Sequence, residues 1–169
     1  MRFELDPPLT SSLRDRIVDL WLAVSEAGGA VGFVPPVTRT DVVATAEPAF
    51  ERITAGEDHL LVGFEGDEPV AMLIFVYGFK LTEHWRTVKR VMVHPAGQGK
   101  GYGAQLMREA EQIARAQGWE ALYLTARGGL GLERFYGALG YKEIGRLPGS
   151  LRVAPGDDRD EILFWLTLA

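Results

Sequence analysis

The segment VMVHPAGQGKGYGAQL, Val91 to Leu106, constrains this chain more than any other stretch. An apolar run stops at Pro95, four glycines fall within the seven residues Gly97 to Gly103, and a helical pattern resumes at once. Glycine lets successive backbone N–H groups converge without interference from Cβ. A helix opening directly behind such a loop adds unsatisfied N–H groups and the positive end of its dipole, a combination that favours pyrophosphate. The same residues would also serve a tight strand-to-helix turn that needs glycine for geometry alone.

Spacing separates the phosphate-binding alternatives. A Walker A loop requires G-x-x-x-x-G-K-[ST], but Gly99-Lys100 is followed by Gly101, and His94 stands where the first glycine belongs. A dinucleotide fingerprint requires G-x-G-x-x-G; its third glycine would be Tyr102 or Leu106, depending on register. The spacing Q-x-x-G-x-G is met in full by Gln98, Gly101 and Gly103, with Lys100 adding a positive charge.

The flanking sequence predicts one α/β domain over residues 1–169, with elements in the order β–α–α–β–β–β–α–β–α–β–β. Arg2 to Leu5 is an opening strand. Thr10, Ser11 and Ser12 offer N-caps for a helix to about Ala27, with Leu13, Ile17, Leu20, Trp21 and Val24 on one face. A second helix runs from about Thr40 to Ala55, and Pro48 should kink or divide it. His59–Gly66 and Pro69–Phe79 form a hairpin, and Trp85–Pro95 reads as a central strand. Gly103–Gln117 is helical, ALYLTA a buried strand, and Gly131–Leu139 a short helix. Tyr141–Leu147 and Asp160–Leu168 close the chain as strands, and EILFWLTL is apolar enough to be either central or the surface of a homodimer.

Composition narrows the function. A net charge of −5 without a dense Lys/Arg stripe argues against a nucleic-acid binder. No apolar run approaches the roughly 18 residues of a membrane span, and no signal-peptide core is evident, so a cytoplasmic location with no membrane association is expected. With zero cysteines there is no thiol nucleophile and no acyl-enzyme on sulfur. No metal is expected, since His59, His84 and His94 lack ligand spacing.

Together, VMVHP-AGQGKGYG-AQLM, the strand ALYLTA and LERFYGALGYKEIG resemble the GNAT superfamily of N-acetyltransferases. Phe135-Tyr136-Gly137-Ala138-Leu139-Gly140-Tyr141 matches its F-Y-x-x-L-G-[YF] segment, about 37 residues after the glycine loop. GRLPG, the apolar last strand and a His before the central strand are similar to tabtoxin-resistance-type acetyltransferases. The resemblance implies a mixed, mostly antiparallel central sheet flanked by helices, with acetyl-CoA as co-substrate. It implies that the backbones of Val91, Met92 and Val93 border pantetheine, beside a bulge where this strand splays from the next. Gln98, Gly99, Lys100, Gly101, Tyr102, Gly103 and Ala104 would hold the pyrophosphate, mostly through N–H groups. Tyr136 would be the acid for the departing thiolate, since a phenol is protonated at neutral pH; a packing tyrosine is the competing reading.

Two positions depart from the family pattern. Thr87 stands where many relatives carry a carboxylate base, leaving His84 or a water chain to collect the proton. Gly129 stands where many carry an asparagine that helps position pantetheine. For the acceptor, the fold implies a site by the first two helices, their connection and the central strands, with Phe33, Tyr77, Phe79 and Trp85 as candidate walls beside His84. If Asp41, Glu47 or Glu83 faced that site, a cationic amine would be attracted. The leading expectation is transfer to a small-molecule amine by direct attack in a ternary complex. The alternatives are a protein lysine or N-terminus as acceptor, and a catalytically weak acyl-CoA-binding module.

Overall fold

In the computed structural model, which describes residues 1–168, the secondary structure follows the expected order. It runs β1 (Arg2–Leu5), α1 (Ser11–Glu26), α2 (Arg39–Thr54), β2 (His59–Glu65), β3 (Glu68–Tyr77), β4 (Trp85–Val93), α3 (Tyr102–Ala116), β5 (Ala121–Arg127), α4 (Leu132–Ala138), β6 (Lys142–Ala154) and β7 (Asp157–Thr167). The strand order is β1-β2-β3-β4-β5-β7-β6. β4 and β5 pair in parallel, whereas β1–β2, β2–β3, β5–β7 and β6–β7 are antiparallel. The α/β class with a mixed, mostly antiparallel sheet is therefore as expected, and β4 is indeed central. The chain forms two compact units, residues 1–77 with 88–110, and residues 78–87 with the chain from Glu111 onward. The divide passes through β4 and α3 themselves.

In the first unit, the helical stripe expected of α1 is buried at Leu13, Ile17, Leu20, Trp21 and Val24. It packs with Val42, Ala46, Phe50 and Ile53 of α2 and with Leu60, Val62, Met72, Ile74 and Met92 of the sheet. Of the three offered caps, Thr10 is the one used, accepting from the Leu13 N–H. Thr38 and Asp41 form a reciprocal capping box on α2. Pro48 does not divide α2, which runs unbroken through it. Proline removes a single i→i−4 bond, and buried Ala46, Phe50 and Ile53 hold both sides of it to one core.

Strand boundaries depart from expectation in β3, β6 and β7. β3 ends at Tyr77 rather than Phe79, because Thr82 Oγ1 accepts from the Phe79 N–H and folds Lys80–Thr82 into a short 3₁₀ turn. In the second unit, β6 continues past Leu147 to Ala154 and β7 starts at Asp157. Pro148 and Gly149 are absorbed by a register shift between Leu147↔Glu161 and Leu151↔Arg159. Only an edge strand tolerates this, since proline has no N–H for a ladder, and β6 is the edge. β7 lies between β5 and β6, so the apolar EILFWLTL is a sheet-internal strand with Ile162, Phe164, Leu166 and Leu168 buried.

One polar contact ties α2 to the sheet within the first unit. Asp58, 4% exposed, accepts from Arg52 at 2.7 and 3.0 Å and from the Tyr77 N–H at 3.0 Å. Burial by itself would push the Asp58 carboxyl up, but Arg52 and the Tyr77 N–H outweigh it and hold the group below the ordinary carboxylate value. A carboxylate held low stabilises the fold fully above its unfolded pKa, and that contribution is lost as pH falls through the lower folded value. Asp58→Ala is expected to cost about 1–3 kcal/mol at neutral pH. It should also flatten the loss of stability below about pH 4, both read from urea unfolding at stepped pH.

Candidate active site

β4 leads into the glycine loop along an interrupted strand. Its ladder with β5 covers Trp85↔Ala121, Arg86↔Leu122 and Thr87↔Tyr123. Three residues further on, Arg90 takes φ +55°, a left-handed conformation that costs a non-glycine residue about 1–3 kcal/mol and that a regular strand cannot contain. Beyond Arg90, Met92 is buried in the first unit's core, while Val91 and Val93 are half-buried. The His94 N–H donates to Val70 O at 2.8 Å, keeping the end of β4 tied to β3.

The loop then turns tightly. His94 Nδ1 accepts from the Ala96 N–H, the Gly97 N–H donates to His94 O, and the Gln98 N–H donates to Pro95 O. The Gln98 side chain folds back and donates through Nε2 to Val93 O at 3.3 Å, so it braces the loop against the strand end. Gly99 and Gly101 have φ of +77° and +80°, and nothing lies within 4 Å of where their Cβ atoms would stand. Backbone conformation, rather than crowding, calls for glycine at both positions. No carbonyl accepts from the N–H groups of Gly99, Gly101, Tyr102, Gly103 or Ala104 among the described residues, and the last three form the first turn of α3. Gln98 to Gly101 are exposed. These donors, at the positive end of a 15-residue helix, have the arrangement of a cradle that would suit an anion. The Tyr102 hydroxyl instead donates to the Glu65 carboxylate on β2, which leaves only the Tyr102 N–H for the cradle.

In the second unit, FYGALGY forms the end of α4. Gly140, at φ +89°, lets the Gly140 N–H reach Gly137 O and the Tyr141 N–H reach Tyr136 O, both at 3.1 Å. This is a Schellman cap, in which the residue after the glycine packs against the one that accepts its N–H. The Tyr136 and Tyr141 rings accordingly meet at 5.7 Å, and Tyr136 also touches Phe135 at 5.0 Å and Phe164 at 5.4 Å. Tyr136 is 5% exposed, and burial pushes its phenol well above the usual value. Its protonated form is thereby favoured over a wide pH range.

The remaining candidates are distributed between the units. His84 is exposed, and its carbonyl accepts from the Glu120 N–H. Trp85 stacks edge-on with Tyr123 at 5.8 Å and Trp165 at 5.4 Å. Phe33 packs edge-on against Trp21 at 6.2 Å, whereas Tyr77 and Phe79 are 44% and 73% exposed. The three carboxylates considered for a cationic acceptor are all engaged. Asp41 serves the Thr38 cap, Glu47 pairs with Arg14 at 3.3 Å, and Glu83 accepts from the Lys80 N–H at 3.1 Å.

Residues 20–141, well over half of the chain, match the family model described as the Acetyltransferase (GNAT) family. The chain belongs to that family. Its co-substrate is acetyl-CoA, which the anion cradle at α3 fits by chemistry. Solved structures agree on the fold. The chain is 17% identical to ribosomal-protein-alanine N-acetyltransferase from Brucella melitensis, covering 99% of this chain and 100% of that one with a TM-score of 0.79. An N-acetyltransferase from Staphylococcus aureus Mu50 is 14% identical over 100% of both chains, with a TM-score of 0.78. An aminoglycoside 6'-N-acetyltransferase complexed with coenzyme A is 16% identical, covering 100% of this chain and 98% of that one, with a TM-score of 0.70.

The departures from the GNAT pattern have physical counterparts. At Gly129, φ +83°, a Cβ would stand 2.4 Å from Arg159 Nη1, so that guanidinium fills the space an asparagine would need. Arg159 is itself fixed by two bonds to Asp157. Thr87 is half-buried and in register with Tyr123, without an acidic group of its own. Arg90 was not singled out by sequence; its only signal there is a charge set directly before the apolar run VMV.

The aromatic cluster yields a stability test. Tyr141 Oη is fully enclosed and has no hydrogen-bond partner, so its hydroxyl is desolvated without compensation. Tyr141→Phe is expected to leave the fold equally stable or to stabilise it by up to about 1 kcal/mol, measured by chemical denaturation.

Proposed function

We propose that this protein is an acetyl-CoA-dependent N-acetyltransferase that acetylates the primary amine of a small molecule by direct attack in a ternary complex. The observation that carries the reading is the cradle of N–H groups from Gly99 to Ala104 at the opening of α3. In this reading those donors, with the charge of Lys100, hold the pyrophosphate. The backbone of Val91 to Val93, past Arg90, receives pantetheine in the manner of an added strand. An N–H of Val91 or Val93 polarises the thioester carbonyl. The amine nitrogen attacks the carbonyl carbon, the C–N bond forms, and the C–S bond breaks. Tyr136 donates its phenolic proton to the departing thiolate, and the surplus proton on nitrogen passes to water or to His84.

A small-molecule acceptor is supported by the aminoglycoside 6'-N-acetyltransferase that shares the fold, since its name specifies an amino group of such a compound. The Tyr136 phenol stays protonated at neutral pH, as the acid role requires, although burial makes it a weaker acid than a free phenol.

Thermal unfolding with acetyl-CoA, CoA, ATP and NAD in parallel tests the cradle. At about 100 times Kd a ligand adds roughly 2.7 kcal/mol, which for a chain of this size raises the midpoint by about 5–10 °C. The expected result is a shift with acetyl-CoA and CoA alone; no shift with either at millimolar concentration would reduce the loop to a turn. Tyr136→Phe is expected to lower kcat by about 10²–10⁴-fold while preserving the CoA-induced shift. Wild-type turnover in that variant would remove Tyr136 from the mechanism and leave it a packing residue.

A further inference from the structure

We propose that Arg90 anchors an anionic group of the acceptor, so that the substrate is an amine that also carries an oxyanion, as an amino acid does. This rests on the acetyl-transfer reading and names the acceptor class of that site.

The guanidinium of Arg90 is held by apolar contacts. Its Cζ lies 5.1 Å from the centre of the Trp21 ring. Trp21 is fixed in turn, donating from Nε1 to Val31 O at 3.0 Å and meeting the Phe33 ring edge-on. The guanidinium also lies against the α1–α2 connection. A Cβ on Gly32 would stand 2.6 Å from Arg90 Nη1, and Gly32 itself has φ +104°. Arg90 is thus set by its own left-handed φ, by an aromatic face and by a residue with no room for a side chain.

What it lacks is a partner of opposite charge. Arg14, Arg39, Arg52, Arg146, Arg152 and Arg159 all pair with carboxylates. Arg90 makes no ion pair among the described residues, and burial alone acts on it, pulling it below the usual arginine value. Removing a cation from water without an anion is unfavourable, and a strained backbone residue is an added cost. Both costs fall at one residue, next to Val91, one of the two proposed donors to the thioester carbonyl. A guanidinium fork matches the two oxygens of a carboxylate. Asp41, Glu47 and Glu83 each already have a local partner.

The test compares L-leucine, L-phenylalanine, L-tryptophan and L-histidine, each against the amine left when its α-carboxylate is removed. CoA thiol release is followed in wild type and Arg90→Met, with the CoA-induced thermal shift measured on both. The expected result is that the carboxylate-bearing member of at least one pair is favoured by about 10- to 100-fold in kcat/KM, the size of one charged hydrogen bond. Arg90→Met should erase that preference, chiefly through KM, and keep the CoA shift. Equal rates within every pair, a preference that survives Arg90→Met, or no acetylation of any amino acid while CoA still binds would each overturn the assignment. Absence of the CoA shift in wild type would instead remove the acetyl-transfer reading beneath it. A lowered unfolding midpoint for Arg90→Met with the preference unchanged would make Arg90 a packing residue.

Discussion

Backbone N–H and C=O groups need partners, and the way β4 departs from that requirement organises the rest of this protein. Its ladder with β5 stops at Thr87, the chain reverses hand at Arg90, and the strand then runs into a loop that leaves a series of N–H groups unbonded. A strand paired throughout on both sides could not offer its edge to a ligand, and a helix fully capped at its start could not bind an anion. Two local conditions make the interruption tolerable. Met92 remains buried and the His94 N–H remains bonded to Val70 O, so the segment past Arg90 is still anchored to its own unit.

Much of this was legible in the sequence because it follows from short-range chemistry. The stripe from Leu13 to Val24 specifies which face of α1 is buried. Gly66-Asp67 joins β2 to β3 at the expected place, and the helix expected from Gly103 starts within one residue of it, at Tyr102. What escaped depends on tertiary position. Pro148-Gly149 looks like the end of a strand unless β6 is known to be an edge. Pro48 looks like a break unless one core holds both sides of α2. Asp41 would attract a cationic acceptor if it faced the site, but its Oδ2 serves the Thr38 cap. The left-handed φ of Arg90 has no local marker at all, since glycine or asparagine would be the usual residue there.

The second recognisable segment shows why a motif and a mechanism are separate claims. F-Y-x-x-L-G-Y is explained by helix termination: glycine supplies the left-handed residue, the Tyr141 N–H closes on Tyr136 O, and the two rings pack. Those demands would select the glycine and two aromatic rings even if Tyr136 had no chemical task, but they do not call for the hydroxyls. The burial that fixes the ring also favours the protonated phenol, which keeps the proton on Tyr136 but makes it harder to release. A side chain held by Phe135, Tyr141 and Phe164 gives up little further freedom when it donates a proton.

Arginine placement carries the last step. Arg159 occupies the volume beside Gly129 and is satisfied by Asp157, so the lost asparagine is replaced by a self-contained ion pair that has no charge left for a ligand. Arg90 is the opposite case: it crowds Gly32 as closely as Arg159 crowds Gly129, yet an aromatic face takes the place of a carboxylate. A cation–π contact is attractive but takes up none of the hydrogen-bond donors of the guanidinium. The two sites therefore differ in what they can still do. One fills space and neutralises itself, while the other keeps a directional set of donors beside the strand edge where acetyl transfer is proposed.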